Sequence, residues 1–207
     1  AAIGTIETSK LEKVVLARAV DIEFPEAIDP RLVAARLIDL SASRDGFIAD
    51  LSPAGRPGAM LVGSSPEVLV KRQGSTVSAF PLAGSSPRRA LAAEDHLAGQ
   101  DLLHSSKDLH EHAFVVDHLR RALTPLCERL DIPDVPQLIS TNEMWHLGTP
   151  ISGTLKDKDL TALELALAVH PTPAICGTPA EAAQALIETA ETDRGFYAGA
   201  VGWCDSS

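Results

Sequence analysis

An α+β fold of antiparallel sheets packed with helices is what the sequence predicts, and three observations predict it. Segments with the two-residue alternation of strands come in runs, not singly between helices. A stretch rich in Ala, Leu, Glu, His and Asp has no Gly or Pro between Gln100 and Leu123, so it is helical. Gly and Pro, 14 of each, punctuate the strand-like runs.

In chain order, residues 13–24 place Val14, Leu16, Val20, Ile22 and Phe24 on one face and predict a long strand. Lys13, Val15, Ala17 and Ala19 point to the other face. Asp29 followed by Pro30 opens a helix to about Leu40, because Asp caps well and Pro is tolerated at the first helical position. Short β-branched runs broken by Pro53, Gly55, Pro57, Gly58 and Gly74 predict a strand meander over residues 46–80. Residues 91–130 predict two helices, the second starting at Ser105 with Asp108 three residues on, and Pro133 and Pro136 close that region. Residues 137–155 read as short strands and turns, 160–169 and 179–190 as amphipathic helices, and 195–203 as a final apolar strand.

The chain has 207 residues, with 18 Lys and Arg against 28 Asp and Glu, a net charge of −10. That charge and a pI near 5.1 argue against electrostatic binding of nucleic acid. With 45% hydrophobic and 22% charged residues, the chain is an ordinary globular one, long enough for one domain or two packed lobes. Cys127, Cys176 and Cys204 are odd in number and form no CxxC, which suits a reducing cytoplasm and neither a disulfide framework nor a cysteine zinc site. No window of apolar residues is long enough to span a membrane, and the first ten residues lack a secretory pattern.

GxGxxG, P-loop, GxSxG and HExxH motifs are absent. His110 and His112 project about 200° apart on a helix and cannot clasp one ion. With His104 and His118 they read as a solvated helix face. Glu111 lies off the apolar stripe of Leu109, Ala113, Val116 and Leu123, where a carboxylate can bind a hard cation such as Mg²⁺. Lys13, heading an apolar strand, is either a desolvated general base or a strand-end lysine reaching water. Glu67 follows a turn and enters an apolar run: buried, it would hold its proton as an acid; exposed, it is a strand-entry carboxylate. The small residues and hydroxyls of 80–89 make either a cradle for an anionic group or a plain turn.

Taken together, these segments resemble the chorismate-utilising enzymes, the isochorismate, salicylate, anthranilate and aminodeoxychorismate synthases, most nearly the isochorismate branch. The carrying blocks are Lys13-Val14-Val15-Leu16-Ala17-Arg18, Gly63-Ser64-Ser65-Pro66-Glu67, Pro81-Leu82-Ala83-Gly84-Ser85, Lys107-Asp108-Leu109-His110-Glu111-His112, Trp145-His146-Leu147, His170-Pro171-Thr172-Pro173-Ala174 with Gly177 and Pro179, and Asp193-Arg194 through Gly199-Ala200-Val201-Gly202-Trp203-Cys204-Asp205. They follow the family order across nearly the whole chain.

The resemblance implies an anthranilate synthase component I-like chorismate-binding fold and a monomeric, cytoplasmic, Mg²⁺-dependent isomerase. Water adds at C2 of chorismate and the C4 hydroxyl leaves, in siderophore or menaquinone supply. It implies Lys13 as the water-activating base, Glu67 as the acid, Glu111 as a Mg²⁺ ligand, and Gly84, Ser85, His146 and Ala174 as substrate-binding positions. Lys13 favours water over ammonia as the nucleophile. The alternatives are a salicylate synthase, which would go on to eliminate pyruvate, and a non-catalytic fragment. Relative to the family, residues 1–207 read as a catalytic domain incomplete at both ends.

Overall fold

The structure, a computed structural model, describes residues 2–205; Ala1, Ser206 and Ser207, at the ends of the expected domain, lie outside the described residues. The elements in chain order are α1 (Ala2–Thr8), β1 (Lys13–Val14), α2 (Pro30–Leu40), β2 (Gly46–Asp50), β3 (Met60–Ser64), β4 (Val68–Gln73), β5 (Thr76–Phe80), β6 (Leu82–Pro87), α3 (Ala92–His104), α4 (Ser106–Leu123), β7 (Cys127–Asp131), β8 (Gln137–Ser140), β9 (Met144–Gly148), β10 (Ile151–Leu155), α5 (Ala162–Val169), β11 (Gly177–Thr178) and α6 (Ala180–Ala190). Two compact units result: Ala1–Arg18, Glu67–Ile139 and Trp145–Ser207 form the first, and Ala19–Pro66 with Ser140–Met144 form the second. The α+β expectation holds, with helices set beside antiparallel sheets.

The first unit is built on an antiparallel sheet in the order β4-β5-β10-β7, with Ile151 opposite Ala79 and Gly153 opposite Val77. The alternation in β5 and β10 turns Val77, Ala79, Ile151 and Leu155 inward, where they meet Val115, Leu119 and Leu123 of α4 and Leu165 of α5. Those α4 positions recur every four residues, as on one helix face. Ser105 caps α4 by accepting from the Asp108 N–H, and Thr161 caps α5 in a reciprocal capping box with Glu164. A second sheet runs β6-β9-β8, and β1 pairs with β11.

In the second unit α2 packs on the β2–β3 hairpin, whose register runs from Gly46 opposite Ser64 to Asp50 opposite Met60. Asp29 caps α2 through the Arg31 N–H, as its Asp-Pro start predicts. Ala34 is the only fully buried residue of this unit among the described residues.

Four expectations are corrected. The strand expected over 13–24 pairs only at Lys13 and Val14; no strand among the described residues lies against 19–24, so Val20, Ile22 and Phe24 stay exposed. Alternation defines a strand's faces, but a ladder also needs a neighbour. The strand expected at 195–203 is a turn and an unpaired extension, again without a neighbour. The second helix ends at Leu123, because Pro125 enters a short 3₁₀ turn and Cys127–Asp131 joins the sheet. Finally, His112 is buried at 2% exposure, whereas Ala113, placed on the apolar stripe from sequence, faces out.

Candidate active site

Lys13 sits in the two-residue strand β1, paired antiparallel with Thr178 of β11. The strands approach closely at Gly177, whose φ of 150° suits glycine and where a Cβ would collide with the Lys13 carbonyl oxygen. Lys13 Nζ donates to the Pro173 carbonyl at 2.6 Å and lies 3.2 Å from Glu111 Oε1. The lysine side chain is 10% exposed, so it heads inward and does not reach into water.

Glu67 is half-buried at the entry to β4, and its Oε1 accepts from the Leu82 N–H at 3.3 Å. Burial pushes its carboxyl above the ordinary glutamate value, opposed by the Leu82 N–H and then by the nearby positive charge of Lys13. The next residue, Ala83, offers its carbonyl to His112 Nδ1 at 3.1 Å, and His112 Nε2 meets Thr149 Oγ1 at 2.7 Å. An acceptor at Nδ1 assigns the proton there and leaves Nε2 to accept from the threonine hydroxyl. Burial lowers the His112 pKa, which favours this neutral form. His112 thereby joins α4, next to Glu111, to the start of β6.

Gly84 continues β6 with φ of 80°, and a Cβ there would lie 3.1 Å from Asp108 Cβ and 3.2 Å from Leu147 Cδ1, so close packing and backbone both ask for glycine. Ser85 Oγ and His146 Nδ1 share a hydrogen bond of 2.8 Å between β6 and β9, and burial lowers the histidine pKa. Ala174 follows Pro173 and packs on the main core. A chain of contacts therefore runs from Glu67 through Leu82, Ala83, His112 and Glu111 to Lys13 and the Pro173–Ala174 turn. Ser85 and His146 form a second pair farther along β6.

Chemically, the arrangement offers a carboxyl whose pKa burial raises, a lysine, and two imidazoles whose pKa burial lowers, in one unit, a set suited to moving protons on an oxygen-rich substrate. Among the described residues no group of three or more His, Cys, Asp or Glu side chains is placed to hold a metal ion. Mg²⁺ is commonly held by one or two carboxylates, with water and substrate oxygens completing its octahedron. Glu111, 35% exposed, fits as one such hard oxygen donor, and a cation there would share it with Lys13.

Several residues in this framework carry no sequence assignment. Arg88 forks onto Asp95, with Nη2 to Oδ2 at 2.7 Å, and lies over the Trp145 ring at 4.4 Å, while Trp145 Nε1 donates to Asp95. Asp95 thereby ties the strands that carry Ser85 and His146, and its pKa is held far below the usual range, first by Arg88. Thr149 gives no signal in the sequence. Glu191, the C-cap of α6, and Arg194, three residues on and beyond the helix, form a further ion pair.

The sequence family described as "Chorismate binding enzyme" matches residues 1–207. Isochorismate synthase DhbC of Bacillus subtilis (strain 168) is 44% identical over 208 residues, covering 99% of this chain and 52% of that protein. The crystal structure of DhbC from Bacillus anthracis superposes with a TM-score of 0.87 at 40% identity, covering 93% of this chain and 52% of that one. Anthranilate synthase component I of Streptococcus pneumoniae TIGR4 shares the fold, with a TM-score of 0.53 at 22% identity over 85% of this chain and 45% of that one. The chain spans about half the length of the curated relatives it matches. No helix among the described residues is long and apolar enough to cross a membrane.

Proposed function

We propose, on the premise that this chain belongs to the chorismate-binding enzyme family, that it carries the acid–base pair of an isochorismate synthase. The observation that carries this reading is the meeting of Lys13 and Glu67 in one unit: an inward lysine whose charge is felt by a carboxyl that burial shifts above the ordinary glutamate value. In the proposed reaction Lys13, acting as the neutral amine after its ammonium proton has passed to solvent, takes a proton from water and the C2–O bond forms. The ring double bonds shift, and the C4–O bond breaks as Glu67 gives its proton to the departing hydroxyl. One water enters and one leaves, so the product is an isomer; a proton then returns from Lys13 to Glu67, directly or through solvent. A raised carboxyl pKa suits the acid, which must still hold its proton near neutral pH.

Ser85, His146 and the backbone at Gly84 and Ala174 would line the substrate, with the hydroxyl and imidazole as hydrogen-bond partners. Glu111 would be one ligand of Mg²⁺, which when bound would neutralise a substrate carboxylate. The protein would act as a monomer in the cytoplasm, its product entering siderophore or menaquinone synthesis.

Incubation with chorismate and Mg²⁺, followed by chromatographic identification of products, tests the reading. Accumulating isochorismate is the expected result. Salicylate with pyruvate would indicate a salicylate synthase, and no conversion by a folded chain would overturn the assignment in favour of a non-catalytic role.

A further inference from the structure

Lys13 stands on a ladder only two residues long, extended by the Glu12 N–H to Thr178 and the Val15 N–H to Cys176. So short a ladder does little to fix the direction of a long side chain. Beyond its end lies a second device. Arg194 Nη2 donates to the Val15 carbonyl at 2.7 Å and Nη1 to the Ile175 carbonyl at 2.8 Å, so one guanidinium bridges the two facing backbones. Arg194 Nε and Nη2 also fork onto Glu191, both at 2.7 Å, and Glu191 Oε1 accepts from the Ala17 N–H at 2.6 Å. The pair is nearly buried, with side chains 17% and 5% exposed, and Tyr197 lies 5.9 Å from the guanidinium.

We infer that Arg194 and Glu191 are positioning residues, which lock the backbone just after Lys13 to the 173–176 turn and so hold the lysine in register with its acceptor, the Pro173 carbonyl. Both ends of the Lys13 geometry pass through this one clamp: its own strand through Val15 and Ala17, and the Pro173 turn through Ile175. Desolvating two charges is costly, and well-packed apolar residues commonly serve stability as well as a buried ion pair does. What apolar residues cannot supply is a planar fork donating to two backbones and a carboxylate at once, nor can the three donors of a lysine ammonium reproduce it. The inference rests on the reading of Lys13 as the base.

The test compares wild type with Arg194→Lys, which keeps the charge and removes the fork, and with Glu191→Ala, by steady-state kinetics on chorismate and by residue-resolved amide exchange. Lys13→Ala is the control for the underlying reading. The expected result is a kcat loss on the order of a hundredfold with KM held within about twofold, as for a misplaced catalytic group. Alongside it the Val15 and Ala17 amides should exchange about tenfold faster or more, with the Val77 amide in β5 unchanged. Wild-type kcat in Arg194→Lys, where Lys13→Ala is inactive, would overturn the inference and leave the base assignment standing. If Lys13→Ala stays active, the base reading fails by itself and the clamp is judged by exchange, where unchanged Val15 and Ala17 protection overturns it.

Discussion

Lys13 and Glu67 owe their chemistry to opposite treatments of charge. The lysine is given a carboxylate and a carbonyl, whereas Glu67 is given burial, one N–H and a share of the lysine's field. A carboxyl whose folded pKa is raised costs stability as pH rises. Below the ordinary glutamate value both states are protonated and the cost is nil; it grows through the interval up to the raised value and persists above it. Glu67→Gln should therefore match wild type in denaturant unfolding at pH 4 and be at least as stable at pH 7, while losing turnover. A variant less stable than wild type at pH 7 would mean that Glu67 is held as a stabilising carboxylate and not as an acid. His112 illustrates what single residues conceal. Its sequence context gave no reason to separate it from His110, yet it satisfies Ala83 and Thr149 at the same time, a consequence of which strands lie beside α4.

Among the elements, α4 carries Glu111 and His112, which project from its first half. Its start depends on Ser105, so Ser105→Ala should cost about 1 kcal/mol in thermal or denaturant unfolding. A change well below that value would show that packing of the Val115, Leu119 and Leu123 face holds the helix without its cap. The cap was legible from sequence, as was the Asp29 start of α2, because these follow from neighbours within a few residues. The failures at 19–24 and 195–203 have the opposite origin: both segments have strand-like composition, and pairing is decided by distant chain. The site was legible in the same uneven way. Lys13, Glu67 and Glu111 were found through block order, whereas the Lys13–Pro173 bond, the Asp95 tie and the Glu191–Arg194 clamp join segments that only the fold brings together.

At the scale of the molecule, the first unit has a continuous core between its four-stranded sheet and α4 and α5, and every candidate site residue belongs to that unit. The second unit pairs one hairpin with one helix and buries only Ala34 fully among the described residues. A two-stranded sheet with so little buried surface is marginal by itself. Native-state amide exchange should accordingly show β2, β3 and α2 opening well before β5, β10 and α4, and equal protection in both units would contradict that division. In the first unit, Lys13 and Glu67 are proposed as the base and acid of one reaction. That assignment is tested most directly by chorismate turnover of wild type, Lys13→Ala and Glu67→Gln, each shown folded by circular dichroism. Isochorismate from wild type and a loss of roughly a hundredfold or more in each variant are the expected results. Wild-type turnover in either variant would contradict the assignment.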